Sequence, residues 1–172
     1  ATNDKIEMTY TFNNSIAEYA EGYFGSYTIS SSYTDTFNIV NNILSGYLNI
    51  DSMSLKMNID NGFGIDAQFT IDTVRSANSK TGVSAELNHS SIGNSINLTR
   101  ALNTGTFQTP FTYSEYSISM NTGNSNIDEL IENIPNHFTY AFNMEINPFG
   151  NNSNGNDFMY YDSDVRISVD LT

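Results

Sequence analysis

Leu55-Lys56-Met57-Asn58-Ile59-Asp60-Asn61-Gly62, running on into Phe63-Gly64-Ile65-Asp66-Ala67-Gln68-Phe69-Thr70-Ile71, is the stretch that decides the fold. Leu55, Met57 and Ile59 alternate with polar residues, and so do Ile65, Ala67, Phe69 and Ile71. Successive side chains of a strand point to opposite faces, so a period of two predicts two half-buried strands. Asp60-Asn61-Gly62 between them has turn chemistry, because Asn and Gly tolerate positive φ. The stretch reads as a β-hairpin, with Ile65–Ile71 returning beside Leu55–Ile59.

The same period extends outward. Leu48 and Ile50 alternate in the opposite parity, which places a β-bulge or bend at Ser52-Met53. Ile6, Met8, Tyr10 and Phe12 alternate ahead of the turn residues Asn13-Asn14. Downstream, Val83–Leu87, Ser91–Leu98 and Phe111–Met120 read as strands, and Phe138, Tyr140, Phe142, Met144 and Ile146 form the most regular run. Val165, Ile167, Val169 and Leu171 make the last one. Gly105, Pro110, Gly123, Pro148 and Gly150 punctuate the gaps.

Two segments carry a helical period instead. Ser125 or Asn126 can cap a helix with Asp128 and Glu129 in its first turn, where the macrodipole favours negative charge. Ile127, Leu130, Ile131 and Ile134 share one of its faces, and Pro135 ends it. Thr36–Leu44 is the second, capped by Asp35, with Phe37, Val40 and Leu44 along one side. Both are short enough to plug the end of a sandwich. No internal repeat stands out, although the two halves share a helix–turn–strand order, Thr36–Leu44 before Tyr47–Ile59 and Asn126–Ile134 before Asn136–Asn147, which a duplicated unit would also leave. The expected fold is all-β, a mainly antiparallel sandwich-like domain over residues 1–172 with two short helices.

Composition bounds the function. The 172 residues include 25 Asn, no Cys and no Trp, and 19 acids against 6 Lys and Arg give a net charge of -13. Aromatics at 13% with only 15% charged residues oppose disorder, which has the reverse balance. Without cysteine there is no thiol catalysis, disulfide scaffold or Cys-type zinc site. Six basic residues cannot neutralise a nucleic-acid backbone or dock on an anionic membrane. Apolar runs are far too short for a membrane helix. An acidic, amide-rich surface suits an extracytoplasmic protein, and the absence of disulfides favours a bacterial one. The first residue is Ala1 and the last apolar run stops at Thr172, so the chain is expected to be a segment of a longer secreted or envelope protein.

The run from Ile43-Leu44-Ser45-Gly46 through Asn58-Ile59-Asp60-Asn61-Gly62-Phe63-Gly64-Ile65 to Phe69 resembles the opening hairpin of late-embryogenesis-abundant type 2 (water-stress) domains. These are Ig-like sandwiches. It departs from that pattern in lacking an Asn-Pro before the first strand and a Pro after Gly64. Together with Asn124-Ser125-Asn126-Ile127, Ile134-Pro135 and Asn147-Pro148-Phe149-Gly150, it also resembles uncharacterised envelope proteins of environmental Gram-negative bacteria. The resemblance implies a non-enzymatic β domain and assigns no residue a role.

The loop Asn151–Asp157 with Asp162 and Asp164 is the strongest candidate for chemistry. Calcium takes about six to eight oxygens from carboxylates, amides and carbonyls. Asn152, Asn154, Asn156, Asp157, Asp162 and Asp164 are the candidate ligands. The EF-hand is excluded, since Asp157 stands where that loop needs Gly and Ser163 where it needs Glu. A solvated hairpin loop is the competing account. Glu7, Glu115 and Glu145 are candidates for the acid pair of a glycoside hydrolase, which needs two carboxyls about 5–10 Å apart. Each occupies an outward register in its run, as a solvated sheet face requires. His89 and His137 have no flanking partners for a triad or zinc site, and no Gly-x-Ser-x-Gly elbow is present. Tyr23, Phe24, Tyr27, Tyr33, Tyr113, Tyr116, Phe158, Tyr160 and Tyr161 suit either a binding face or the core of a protein poor in Leu.

Three functions are expected in order. The first is a non-enzymatic structural, adhesion or display module contacting other extracellular proteins or glycans. The second is an acid-pair glycoside hydrolase or related carbohydrate-active domain. The third is an envelope carrier of an apolar ligand, which requires an elongated apolar cavity between the sheets.

Overall fold

A computed structural model describes residues 16–36 and 48–172, with the isolated positions Thr9 and Thr11. Apart from Thr9 and Thr11, the expected strand Ile6–Phe12, with Glu7, lies outside the described residues. Of the expected helix Thr36–Leu44 only Thr36 is described, and it ends a strand.

The chain opens with β1 (Tyr19–Glu21) and β2 (Tyr27–Thr36), and resumes with β3 (Ser54–Asn61) and β4 (Ala67–Ala77). Five shorter or edge strands follow: β5 (Ser84–Glu86), β6 (Ile96–Leu98), β7 (Leu102–Asn103), β8 (Phe111–Thr112) and β9 (Ser114–Asn121). A four-residue helix α1 (Glu129–Glu132) precedes β10 (His137–Ile146), β11 (Phe158–Tyr160) and β12 (Val165–Leu171). One sheet runs β2-β10-β4-β5, with β6 also paired to β4, and the second runs β12-β3-β9. All the strand pairings are antiparallel. The all-β sandwich expected from alternation is the fold observed.

The hairpin reading of residues 55–71 is corrected. β3 pairs with β9 and β12, whereas β4 pairs with β10, β5 and β6, so the two strands lie in different sheets. Residues 61–66 form an arch that carries the chain from one layer to the other. Neither Asn61 nor Gly62 has positive φ. Asn61 is buried and holds the arch with its side chain: Oδ1 accepts from the Phe63 N–H at 3.0 Å, and Nδ2 donates to the carbonyls of Thr99 (2.9 Å) and Ile65 (3.4 Å). Gly62 and Gly64 are needed for room. A Cβ on Gly62 would lie 2.8 Å from the Tyr113 ring and the Asp164 carbonyl, and one on Gly64 would enter the Phe158 ring.

The parity change near Ser52-Met53 also resolves differently. Leu48–Ile50 is not a strand; the chain bends at Asp51 and β3 begins at Ser54. The true bulge is in β4. Phe142 pairs with Ile71 but Ala141 pairs with Thr73, which leaves Asp72 as the extra residue. The Asn143 Nδ2 donates to the Asp72 carboxylate at 2.6 Å and holds it on the outer side. The bulge resets parity, so Val74 follows Phe69 and Ile71 onto the inner face.

Between the sheets lies one core built around Ile59, Phe69, Ile71, Ile118, Met120 and Leu130. Burying side chains of this size contributes about 1.5–3 kcal/mol each. α1 is shorter than its period predicts. Leu130 and Ile127 still enter the core, but the cap is not the expected one: Asn126 instead accepts from the Asn88 N–H and donates to the Glu86 carbonyl, tying the helix to β5.

Four strands, β1, β2, β7 and β11, escaped the sequence reading. β2 is rich in Ser and Thr, and forms because all ten of its residues pair with β10. β1 pairs with β11.

Candidate functional site

The inner faces of the sheets pack together at the core but part toward one flank. Between them is a cavity of about 700 Å3, walled by Leu55 and Met57 of β3, Phe69 and Ile71 of β4, Met120 of β9 and Phe142 of β10. Leu130 and Ile127 close it from the α1 side. Strict alternation puts these side chains inside, and the Asp72 bulge keeps Val74 among them. On one flank β6 approaches β9. On the other flank the edge strands β2 and β12 are not paired to each other, and the cavity reaches Tyr33, Ile167, Val169 and Leu171, each about half exposed.

Among the described residues of this wall, Tyr33 and Tyr140 are the ones that carry a polar side-chain group. The Tyr140 hydroxyl donates to the Asp35 carboxylate at 3.0 Å. That bond, then burial and the nearby negative charge, raise the Tyr140 phenol above its usual pKa. Tyr33 packs at 5.7 Å between ring centres against Tyr140. The rim is therefore phenolic and acidic.

The six candidate calcium ligands diverge. Asp157 is fully buried; one carboxylate oxygen accepts from the Asn147 Nδ2 at 2.7 Å, and the other faces the Arg100 guanidinium at 3.6 Å. Arg100 also donates to the carbonyls of Gly64 and Asn156. Asp164 accepts from the Tyr113 hydroxyl at 2.5 Å and from Arg166 at 3.1 Å, and these bonds lower its pKa below the usual carboxylate range. The Arg166 guanidinium sits 4.3 Å above the Tyr113 ring. Asp162, Asn152 and Asn154 are exposed, and Asn156 donates back to the Ser153 carbonyl. No group of three or more His, Asp or Glu among the described residues is placed to hold a metal.

Asp157, Arg100 and Asn147 form a structural lock. Asn147 also donates to the Gly25 carbonyl and accepts from Ser26 through its own carbonyl, so the lock joins the loops before β2, after β3, after β6 and after β10. Nothing local marks Arg100 in the sequence, since its partners lie 36 and more residues away.

The remaining candidates are scattered. Glu115 lies on β9 opposite Asp60 and is exposed, while Glu145 lies on β10 in the other sheet and is also exposed. Both alternate with inward residues, so they project from opposite outer faces. His89 bonds Ser91 (2.7 Å) and His137 bonds Thr36 (3.2 Å). The aromatics divide. Phe158, Tyr160 and Tyr113 pack with Phe111 and Tyr19 at the end of the sandwich beneath the arch, while Tyr23, Tyr27, Tyr33, Tyr116 and Tyr161 are largely exposed.

No helix among the described residues is long and apolar enough to cross a membrane. No family model, curated protein or solved structure matches the chain.

Proposed function

We propose that this chain is a non-enzymatic β-sandwich module that holds an apolar ligand between its two sheets. The observation that carries the reading is the cavity of about 700 Å3. Its lining is apolar and opens to water along one flank, so an apolar occupant would remove that surface from water at about 25 cal/mol per Å2. The volume falls within the range of small-molecule sites, about 300–1,000 Å3, and the gap between β2 and β12 gives a way in.

A structural or display role in a secreted or cell-envelope protein is the second reading. Its support is the outer surface, where Thr34 bonds Thr139, Thr70 bonds Ser95, Gln68 bonds Asn97 and Asn58 bonds Ser117 across strands. This neutral amide and hydroxyl lattice carries few cations and suits an acidic extracytoplasmic protein.

Titration with N-phenyl-1-naphthylamine, a neutral probe that fluoresces in apolar surroundings, separates the two. Saturable binding near one probe per chain is expected. Val74→Trp, which enlarges an inward side chain of the cavity wall, should weaken it at least tenfold while the β circular dichroism spectrum is kept. No saturable binding would mean that the chain's own residues fill the space, and the structural reading would stand instead.

A further inference from the structure

We infer that the ligand of this cavity is uncharged at its polar end: a neutral lipid such as a long-chain alcohol, ester or isoprenoid, and not a fatty acid or anionic phospholipid. This rests on the cavity being a ligand site and goes on to name the class of ligand.

The argument is the placement of the cations. A fatty carboxylate or phosphate drawn into the cavity would need a partner for its charge, because an ionised group out of water without one costs several kcal/mol. Five of the six basic residues are described, and none lines the cavity. Lys56 alternates with the inward Leu55 and Met57, and pairs in register with Asp170 on the outer face. Arg75 donates to Ser84 and lies opposite Glu86. Arg100 is held by Asp157 and two carbonyls, and Arg166 by Asp164. Lys80 lies in the turn between β4 and β5.

What the cavity does offer is of the opposite kind. Among the described residues of its wall, the polar side chains are two phenols, Tyr33 and Tyr140, which can exchange hydrogen bonds with a hydroxyl or ester oxygen. The charged group bonded to one of them is the Asp35 carboxylate. The net charge of -13 adds a long-range field that repels anions from the mouth. Charge complementarity at this site therefore selects against an acid and leaves a neutral head unpenalised.

The test is displacement of N-phenyl-1-naphthylamine at pH 7.5 by 1-dodecanol and by dodecanoate, each below its aggregation limit. The two share a chain and differ only in the head. Dodecanol should displace the probe at a concentration at least tenfold lower. Val169→Lys, which sets a cation at the half-exposed mouth, should tighten dodecanoate at least tenfold, with circular dichroism confirming the fold. Equal potency of the two heads, or an unchanged dodecanoate affinity in Val169→Lys, would overturn the inference while leaving the cavity reading in place. Failure of the probe itself to bind would instead remove the cavity reading on which the inference stands.

Discussion

Gly64→Ala tests the arch between the sheets. Gly64 and Phe158 bond each other twice through the backbone, N–H to carbonyl at 2.9 and 3.2 Å, so their chains cannot slide apart without losing both bonds. A Cβ on residue 64 would stand 2.5 Å from Cγ of the Phe158 ring and closer still to Cδ1 and Cε1, whereas ordinary contacts are 3.4–4 Å. The ring has to leave its slot. Phe158 is 7% exposed and packs against Tyr19 and Tyr160, so expelling it forfeits most of its burial. Overpacking of this kind costs about 1–3 kcal/mol, and lost burial of a ring this size is of similar magnitude. The expected loss is about 2–3 kcal/mol, which for a domain of this length lowers Tm by about 4–12 °C. Phe158→Ala alone should cost about 3–5 kcal/mol. Because it removes the obstacle, the double variant should be no less stable than Phe158→Ala, so the two changes couple strongly. Urea unfolding of the four proteins measures this. A Gly64→Ala loss under about 0.5 kcal/mol, or strict additivity, would refute steric exclusion as the reason for glycine.

Arg100→Ala strips the partner from a fully buried Asp157, and should cost about 3 kcal/mol in chemical unfolding, with Arg100→Lys recovering only part of it because the fork to two carbonyls is lost. Millimolar calcium against chelator should leave Tm unchanged, since Asp157 and Asp164 are already engaged by arginines; a rise above about 3 °C, corresponding to roughly a kcal/mol of linkage, would restore the Asn151–Asp164 loop as a cation site. Tyr113→Phe removes the first of the bonds that depress Asp164, so that carboxyl should titrate at higher pH in an NMR titration of the side-chain carbons. Asp164 is a lowered acid, so its contribution is present above its unfolded pKa and fades as pH falls through the folded one; Tyr113→Phe should begin to lose it at a less acid pH. The phenols of Tyr19, Tyr113 and Tyr140 are raised, so the unfolded chain releases its protons first and stability should fall as pH rises through about 10.

The sequence by itself determined the class of fold and much of the inner face. Leu55, Met57, Phe69, Ile71, Phe142 and Ile167 were legible because a strand's period of two assigns each side chain to a face without reference to any partner. Outward placement of Glu115 and Glu145 followed from the same rule. Which strand lies beside which was decided only in three dimensions. Asp60-Asn61-Gly62 has the residues of a hairpin turn, yet the glycines serve close approach to Tyr113 and Phe158, and Asn61 satisfies the Thr99 carbonyl 38 residues on. Turn chemistry is local and these contacts are not. β2 was invisible for the same reason: its stability comes from ten pairings with β10 and not from its own Ser-rich sequence. The buried lock of Arg100 on Asp157 likewise joins residues with no local signal. The cavity is the furthest from the sequence, because apolar residues that close-pack and apolar residues that stand apart share one pattern, and only the spacing of the two sheets tells them apart.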